Sequence, residues 1–176
     1  MSQTSVTADP GSVYEGKLEA RWETATGLAE GTVYWGKGVG LDPAHISHDL
    51  FSATSGQIMR GYTASDVFMG VAFADTALEQ PAAQGYGTYP DESVFPVLRK
   101  GMVWVVVADA ITSLSDAVWI RDANAGGSPP VEQLGSFNPS NPGADYISLT
   151  AAGARVAWRR ALTVGAVNYG LLELNL

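Results

Sequence analysis

One stretch of the sequence imitates a phosphate-binding loop. Residues 31–38 read GTVYWGKG and match the pattern G-x-x-x-x-G-K, in which backbone N–H groups and a lysine hold phosphate oxygens. The pattern also requires a Ser or Thr after the lysine and a helix behind it, because the hydroxyl binds magnesium and the helix N-terminus meets the phosphates. Gly38 follows the lysine instead, and Gly40 and Pro43 oppose a helix. The stretch is therefore predicted to be a glycine-flanked strand.

A second stretch matches part of a calcium-binding loop. Asp122, Asn124 and Gly127 stand at positions one, three and six of such a loop. Position five is Gly126 and position twelve is Gln133, so one oxygen ligand and the bidentate carboxylate are missing. A surface turn is the better interpretation, and we predict no metal site and no cofactor.

The remaining residue types do not specify a reaction. His45 and His48 are the only histidines, and in a strand their side chains point to opposite faces, which separates them as metal ligands or as catalytic partners. No G-x-S-x-G elbow is present for a serine nucleophile. The adjacent carboxylates of Asp91 and Glu92 lie in a loop with no reason for a raised pKa. No catalytic residue is predicted, and the protein is not expected to be an enzyme.

Aromatic residues leave one binding alternative open. The chain contains five tryptophans and seven tyrosines, and carbohydrate-binding β-sandwiches use exposed aromatic platforms. Trp35, Tyr86 and Tyr89 are the candidates for such a platform. Aromatic side chains are also the usual filler of cores and interfaces, and we favour that interpretation here.

Composition and charge limit the classes of partner. The 176 residues fit one domain, and the net charge of −8 belongs to residues 1–98, because acidic and basic residues balance in residues 99–176. Nucleic acid is not an expected partner, since phosphate neutralisation needs clustered Lys and Arg. The nearest approach to a basic cluster is Arg155, Arg159 and Arg160. The absence of cysteine excludes disulfides, and we expect neither a signal peptide nor a membrane span.

Residues 93–110, SVFPVLRKGMVWVVVADA, form the most apolar segment of the chain. A half-buried strand alternates apolar and polar side chains, whereas residues 102–107 are apolar on both faces and need cover on both. We predict a hairpin with a three-residue loop at residues 99–101, because Gly101 suits the left-handed position of such a loop. One face is expected to pack in the subunit's own core, and the other against a second sheet or a neighbouring subunit.

Short β-prone runs recur along the rest of the chain, separated by Gly- and Pro-rich loops and without a sustained helical period. The predicted strands comprise residues 31–39, 45–51, 67–73 with a bulge at Gly70, 117–121, 150–163 and 172–176. Residues 82–92 and 136–146 are predicted to be loops. The fold class is therefore all-β, an antiparallel β-sandwich or barrel-like domain at residues 13–176, preceded by an extended N-terminal arm at residues 1–12.

The order of segments in the C-terminal half resembles the phage structural cement proteins, which decorate the capsids of tailed bacteriophages. The segments that carry the resemblance are PVLRKGMVWVVV (96–107), AVWIRD (117–122), LGSFNP (134–139), AAGARVAWRRALT (151–163) and LLELNL (171–176). The resemblance implies a non-enzymatic virion protein on the outer surface of the capsid. It also implies a homotrimer at three-fold and quasi-three-fold positions that contacts an HK97-type major capsid protein, and it offers no catalytic residues.

Overall fold

The fold is built from strands alone in the part of the chain that the structure describes. The structure is a computed structural model, and it describes residues 13–42, 57–74, 87–123 and 133–176. Its strands are β1 (Leu18–Ala29), β2 (Val33–Tyr34), β3 (Gly38–Leu41), β4 (Gln57–Gly61), β5 (Val67–Ala72), β6 (Thr88–Tyr89), β7 (Val94–Val107), β8 (Trp119–Arg121), β9 (Phe137–Asn138), β10 (Tyr146–Ser148), β11 (Val156–Val164) and β12 (Val167–Asn175). The predicted all-β class is confirmed. No helix in these ranges is long and apolar enough to cross a membrane.

Strand β7 is the longest strand and the centre of the sheet. It runs unbroken from Val94 to Val107, so the predicted hairpin at residues 99–101 is wrong. Gly101 has a φ of 141°, and a Cβ atom built on it would lie 2.2 Å from the carbonyl oxygen of Ala20 on β1. The glycine is therefore needed because two backbones approach closely inside a sheet, and not because the chain reverses there.

The pairing around β7 explains how one strand joins so much of the sheet. One edge of β7 pairs with β1, while the other edge pairs first with β5 and then with β12. Strand β1 also pairs with β4, β4 with β3 and β3 with β5, so the pairings of these five strands form a closed circuit. The pairs β1–β4 and β7–β9 are parallel, so the sheet is mixed, whereas the sequence led us to expect a purely antiparallel one.

The two apolar faces of β7 belong to two core clusters. Phe95 and Val97 pack in one cluster with Met59 and Tyr89. In the second half of the strand, residues 103, 105 and 107 pack on β8, β9, β11 and β12, around Trp158. Residues 104 and 106 are buried on the opposite face. The residues just before β1 continue its pairing along the edge of β7, where the Gly16 N–H donates to the Trp104 carbonyl at 2.8 Å. Much of the cover that the sequence requires is therefore supplied within the same chain.

Two short strands occur where the sequence predicts loops. Thr88–Tyr89 pairs with Val33–Tyr34, and Phe137–Asn138 pairs with β7 and β8. The bulge predicted at Gly70 is confirmed, because the β3–β5 register shifts beside it. Strands are also confirmed within 117–121, 150–163 and 172–176, whereas residues 45–51 lie outside the described ranges. The N-terminal arm at residues 1–12 lies outside them too and stays a prediction.

Candidate interaction surface

Lys37, the lysine of the phosphate-loop-like stretch, is buried inside the domain. Its side chain is 1% exposed, and its Nζ contacts Glu15 Oε1 at 2.5 Å. Burial raises the pKa of the Glu15 carboxyl, while the charge of Lys37 opposes that rise. Val33 and Tyr34 form strand β2, and Gly38 begins β3 without a helix. The predicted strand is therefore confirmed only in part, because a turn at residues 35–36 divides it into two strands of different sheets, and Lys37 is not available to a phosphate.

The calcium-like stretch begins with a buried carboxylate. Asp122 is 7% exposed, and burial, followed by the nearby charge of Asp145, raises its pKa above the ordinary value of 3.8. Its Oδ1 has no hydrogen-bond partner among the described residues. Asn124, Gly126 and Gly127, like His45 and His48, lie outside the described ranges. Within those ranges no group of three or more His, Asp and Glu side chains is placed to hold a metal ion.

The aromatic platform proposed for a carbohydrate is not built in the described residues. Tyr89 is 1% exposed, donates its hydroxyl to the Phe73 carbonyl at 2.7 Å and stacks on Phe95. Trp35 is half-buried, packs against Tyr89 and lies directly over Gly87. Both side chains therefore fill the core, and Tyr86 lies outside the described residues. The interpretation of Trp35 and Tyr89 as core aromatics is confirmed.

The most exposed large apolar side chain of the described residues is Trp22, at 61%. It is the unpaired residue of a β-bulge, because Arg21 pairs with Gly101 and Glu23 with the preceding residue, Lys100. On β7, Arg99 likewise has no partner on β1, and the regular register resumes where Thr24 pairs with Leu98. A bulge redirects a side chain, and exposed tryptophans are enriched among the residues that dominate binding energy. The bulge thus presents a side chain suited to a protein partner.

Beside Trp22, basic side chains from β7, from β11 and from the residue just before β11 form one surface. We call Arg99, Lys100, Arg155 and Arg159 the basic strip. Lys100 and Arg155 line one shallow concavity, and Arg155 and Arg159 line the next, with Asn175 shared by both. Glu23 lies 3.6 Å from Arg99 and 3.0 Å from Lys100.

Facing residues on adjacent strands explain the position of the strip. Lys100 pairs with Asn175, and Met102 with Glu173, which contacts Arg159. Residues opposite each other share a face of the sheet, and on β12 the side chains of Leu172 and Leu174 point to the other face, into the core. The strip therefore lies on the outer face of β7, β12 and β11.

The far end of β1 is acidic. We call Glu30, Asp42, Asp66, Asp91 and Glu92 the acidic corner. Arg60 lies among them, with its Nη2 3.0 Å from both Asp42 and Asp66 and its Nη1 3.7 Å from Glu30. Asp91 accepts a hydrogen bond from the Gly31 N–H at 2.7 Å, and Glu92 donates its N–H to the Ala29 carbonyl at 2.9 Å. Arg60 thus contacts three of the five carboxylates, of which Asp66 is buried, while Asp91 and Glu92 lie beside residues 29–31 without contacting it.

Sequence reasoning identified part of this surface. It singled out Arg155 and Arg159, but it placed Arg99 and Lys100 in a turn and did not single out Trp22. In an unbroken strand Trp22 would share a face with Leu18 and Ala20, both of which are partly buried. The charged and threonine-rich residues around this tryptophan, in LEARWETAT, are the only sequence signal that it lies at the surface.

The described residues thus form an all-β domain with a long central strand, an exposed tryptophan and two surface patches of opposite charge. The sequence model of the family described as "Structural cement protein (E217 gp24/Pam3 gp6)" matches residues 2–175. The chain belongs to this family of phage structural cement proteins, and it is accordingly a structural protein of the phage capsid. No curated protein matches the chain.

Proposed function

We propose that the chain binds the outer surface of a tailed-phage icosahedral capsid and holds neighbouring copies of an HK97-type major capsid protein together. It acts as a homotrimer at three-fold and quasi-three-fold positions. The observation that carries the proposal is Trp22, displayed by a bulge at 61% exposure in a protein of the cement family. An enzymatic role has no comparable support among the described residues.

The energetics of decoration suit a surface of this kind. Truncating a tryptophan at the centre of a protein interface typically costs about 2 kcal/mol or more, because its large ring is removed from water on binding. A trimer presents three such side chains at once, so the second and third contacts form at high effective concentration. Modest contacts per subunit are therefore sufficient to hold the trimer on a shell.

Replacing Trp22 by alanine should weaken shell binding without unfolding the protein. We expect the affinity for expanded shells that lack this chain to fall by at least about ten-fold, because one interface side chain of about 2 kcal/mol is lost per subunit. Co-sedimentation of the purified variant with such shells measures the effect. Leu114→Ala is the matched control, since Leu114 is 51% exposed and lies in the loop after β7, away from the bulge.

The two variants together decide whether Trp22 is a contact residue. Equal binding by Trp22→Ala and the unaltered protein would exclude Trp22 from the capsid contact. Equal losses in Trp22→Ala and Leu114→Ala would show that general surface hydrophobicity, and not this position, drives binding. Circular dichroism of both variants establishes that they are folded.

The residues before the described domain supply a second contact in this proposal. Residues 1–12 are small and polar with a Pro-Gly pair, a composition typical of an extended arm, and they precede a segment bonded to β7 through Gly16 and Trp104. An extended arm can add a strand to a neighbouring sheet edge. Deleting residues 1–12 should leave a folded protein that binds expanded shells poorly in the same assay. Undiminished decoration by the truncated chain would refute the role of the arm.

A further inference from the structure

The surface charge of the described residues is separated along the ribbon formed by β1 and β7. All ten Lys and Arg of the chain lie in the described ranges. Lys37, Arg60 and Arg121 each contact carboxylates of their own neighbourhood. Four of the others make up the basic strip, where Glu23 and Glu173 contact three of the four cations and leave an excess of positive charge, on a protein whose net charge is −8. The strip is therefore a concentrated positive surface on an acidic molecule.

The acidic corner lies at the other end of the same ribbon. Glu23, at the strip, and Glu30, at the corner, are both on or next to β1, and their separation is roughly 20 Å at about 3.3 Å per residue. On β7 the order is the same, with Asp91 and Glu92 just before the strand and Lys100 in its middle. Charges at this separation are screened from each other, because the Debye length at physiological salt is about 8 Å. The two patches do not neutralise each other within one copy.

We propose that the basic strip of one copy binds the acidic corner of a second copy of this chain. The inference rests on the self-association in the proposed function and names the surfaces that mediate it. The charges are complementary, since the strip has four cations against the carboxylates of Glu23 and Glu173, whereas the corner has five carboxylates, one of them buried, against the single guanidinium of Arg60. Complementary charge fixes the register of an interface and accelerates its formation.

A second copy fits the strip better than other anionic partners do. Nucleic acid would be repelled by the net charge of −8 over the rest of the molecule. A second copy always supplies the complementary surface, because every copy has both a basic strip and an acidic corner. In a ring, each copy uses each patch once, and no patch is left unsatisfied.

Charge reversal tests the pairing without any capsid present. The basic-strip variant is Lys100→Glu with Arg155→Glu, and the acidic-corner variant is Glu30→Lys with Glu92→Lys. Sedimentation equilibrium measures the self-association constant of each pair and of the combined four-residue variant. We expect each pair alone to weaken self-association by at least about ten-fold, and the combined variant to recover to within about three-fold of the natural chain. Raising the salt concentration should weaken the natural association.

The design separates a specific contact from an effect of net charge. The acidic-corner variant reduces the net negative charge, so general repulsion predicts that it associates more tightly, whereas the proposed contact predicts weaker association. A combined variant no tighter than either pair would overturn the proposal, as would a natural chain that stays monomeric up to about 100 μM. If the basic-strip variant self-associates normally but loses shell binding, the strip contacts the capsid instead. Failure of the Trp22 experiment would leave the self-association result intact.

Discussion

Replacing Lys37 by methionine is expected to destabilise the fold by about 3–5 kcal/mol at neutral pH, the cost of leaving one partner of a buried ion pair behind. Lys37 is buried, and its ammonium contacts the Glu15 carboxylate at 2.5 Å. Methionine retains the volume and removes the charge, so Glu15 would stay buried without its counter-charge. Urea unfolding of the natural chain and the variant measures the difference.

The pH dependence of this loss identifies its cause. Burial already raises the pKa of Glu15 above its ordinary value of 4.5, and removing Lys37 removes a charge that lowers it. A carboxyl with a raised pKa in the folded state binds its proton more tightly there than in the unfolded chain, so stability falls as the pH rises from 4.5 through the raised pKa. The penalty of Lys37→Met should therefore be smallest near pH 4.5 and largest at neutral pH.

A double variant provides the control for Lys37→Met. Glu15→Leu combined with Lys37→Met replaces both charges by apolar side chains of similar volume, and such replacements are often neutral or stabilising. We expect the double variant to lie within about 2 kcal/mol of the natural chain and to lack the pH dependence. A loss under about 1 kcal/mol for the single variant, or one that does not change with pH, would show that the pair is solvated in solution.

Gly101→Asn is expected to destabilise the protein by at least about 3 kcal/mol, because it forces a side chain against the backbone of the neighbouring strand. A Cβ atom at this position would lie 2.2 Å from the Ala20 carbonyl oxygen, and a φ of 141° lies far from the left-handed helical region that asparagine tolerates. The variant also distinguishes the unbroken strand β7 from a hairpin at residues 99–101. In the hairpin that the sequence suggests, glycine would occupy the left-handed position, where asparagine is accepted.

Gly31→Asn is the matched control for the Gly101 variant. Gly31 has a φ of 73°, within reach of the left-handed region, and a Cβ atom built on it meets nothing within 4 Å. We expect the free energy of unfolding to change by less than about 1 kcal/mol. Similar small losses at both glycines would contradict the close approach of β1 and β7 at Gly101.

The fold class could be predicted from the sequence because its signals are local. Short β-prone runs between Gly- and Pro-rich loops indicated an all-β protein, and the apolar residues on both faces of β7 indicated cover on both sides. The length of β7 could not be predicted, because Gly101 suits a tight turn and a close contact between strands equally well. Only the position of Ala20 on the partner strand decides between them.

The interaction surface was less predictable, because it depends on the register between strands distant in sequence. Arg155 lies near Lys100 because Asn175 pairs with Lys100 and bonds to the Arg155 carbonyl. Trp22 is exposed because bulges on β1 and β7 shift the pairing beside it. The strand that contains Tyr89 was missed for a different reason. Its sequence context of Gly, Tyr and Pro is typical of a loop, yet Tyr89 is buried in a two-residue strand.

The cement role is tested most directly by titrating expanded phage shells that lack this chain with the purified protein. We expect bound protein to saturate at a fixed number of copies per shell, three at each three-fold and quasi-three-fold position. Decorated shells should survive heating that disrupts bare shells, because each trimer joins several capsid subunits. Binding that does not saturate, or decorated shells that break at the same temperature as bare ones, would contradict the role proposed for this protein.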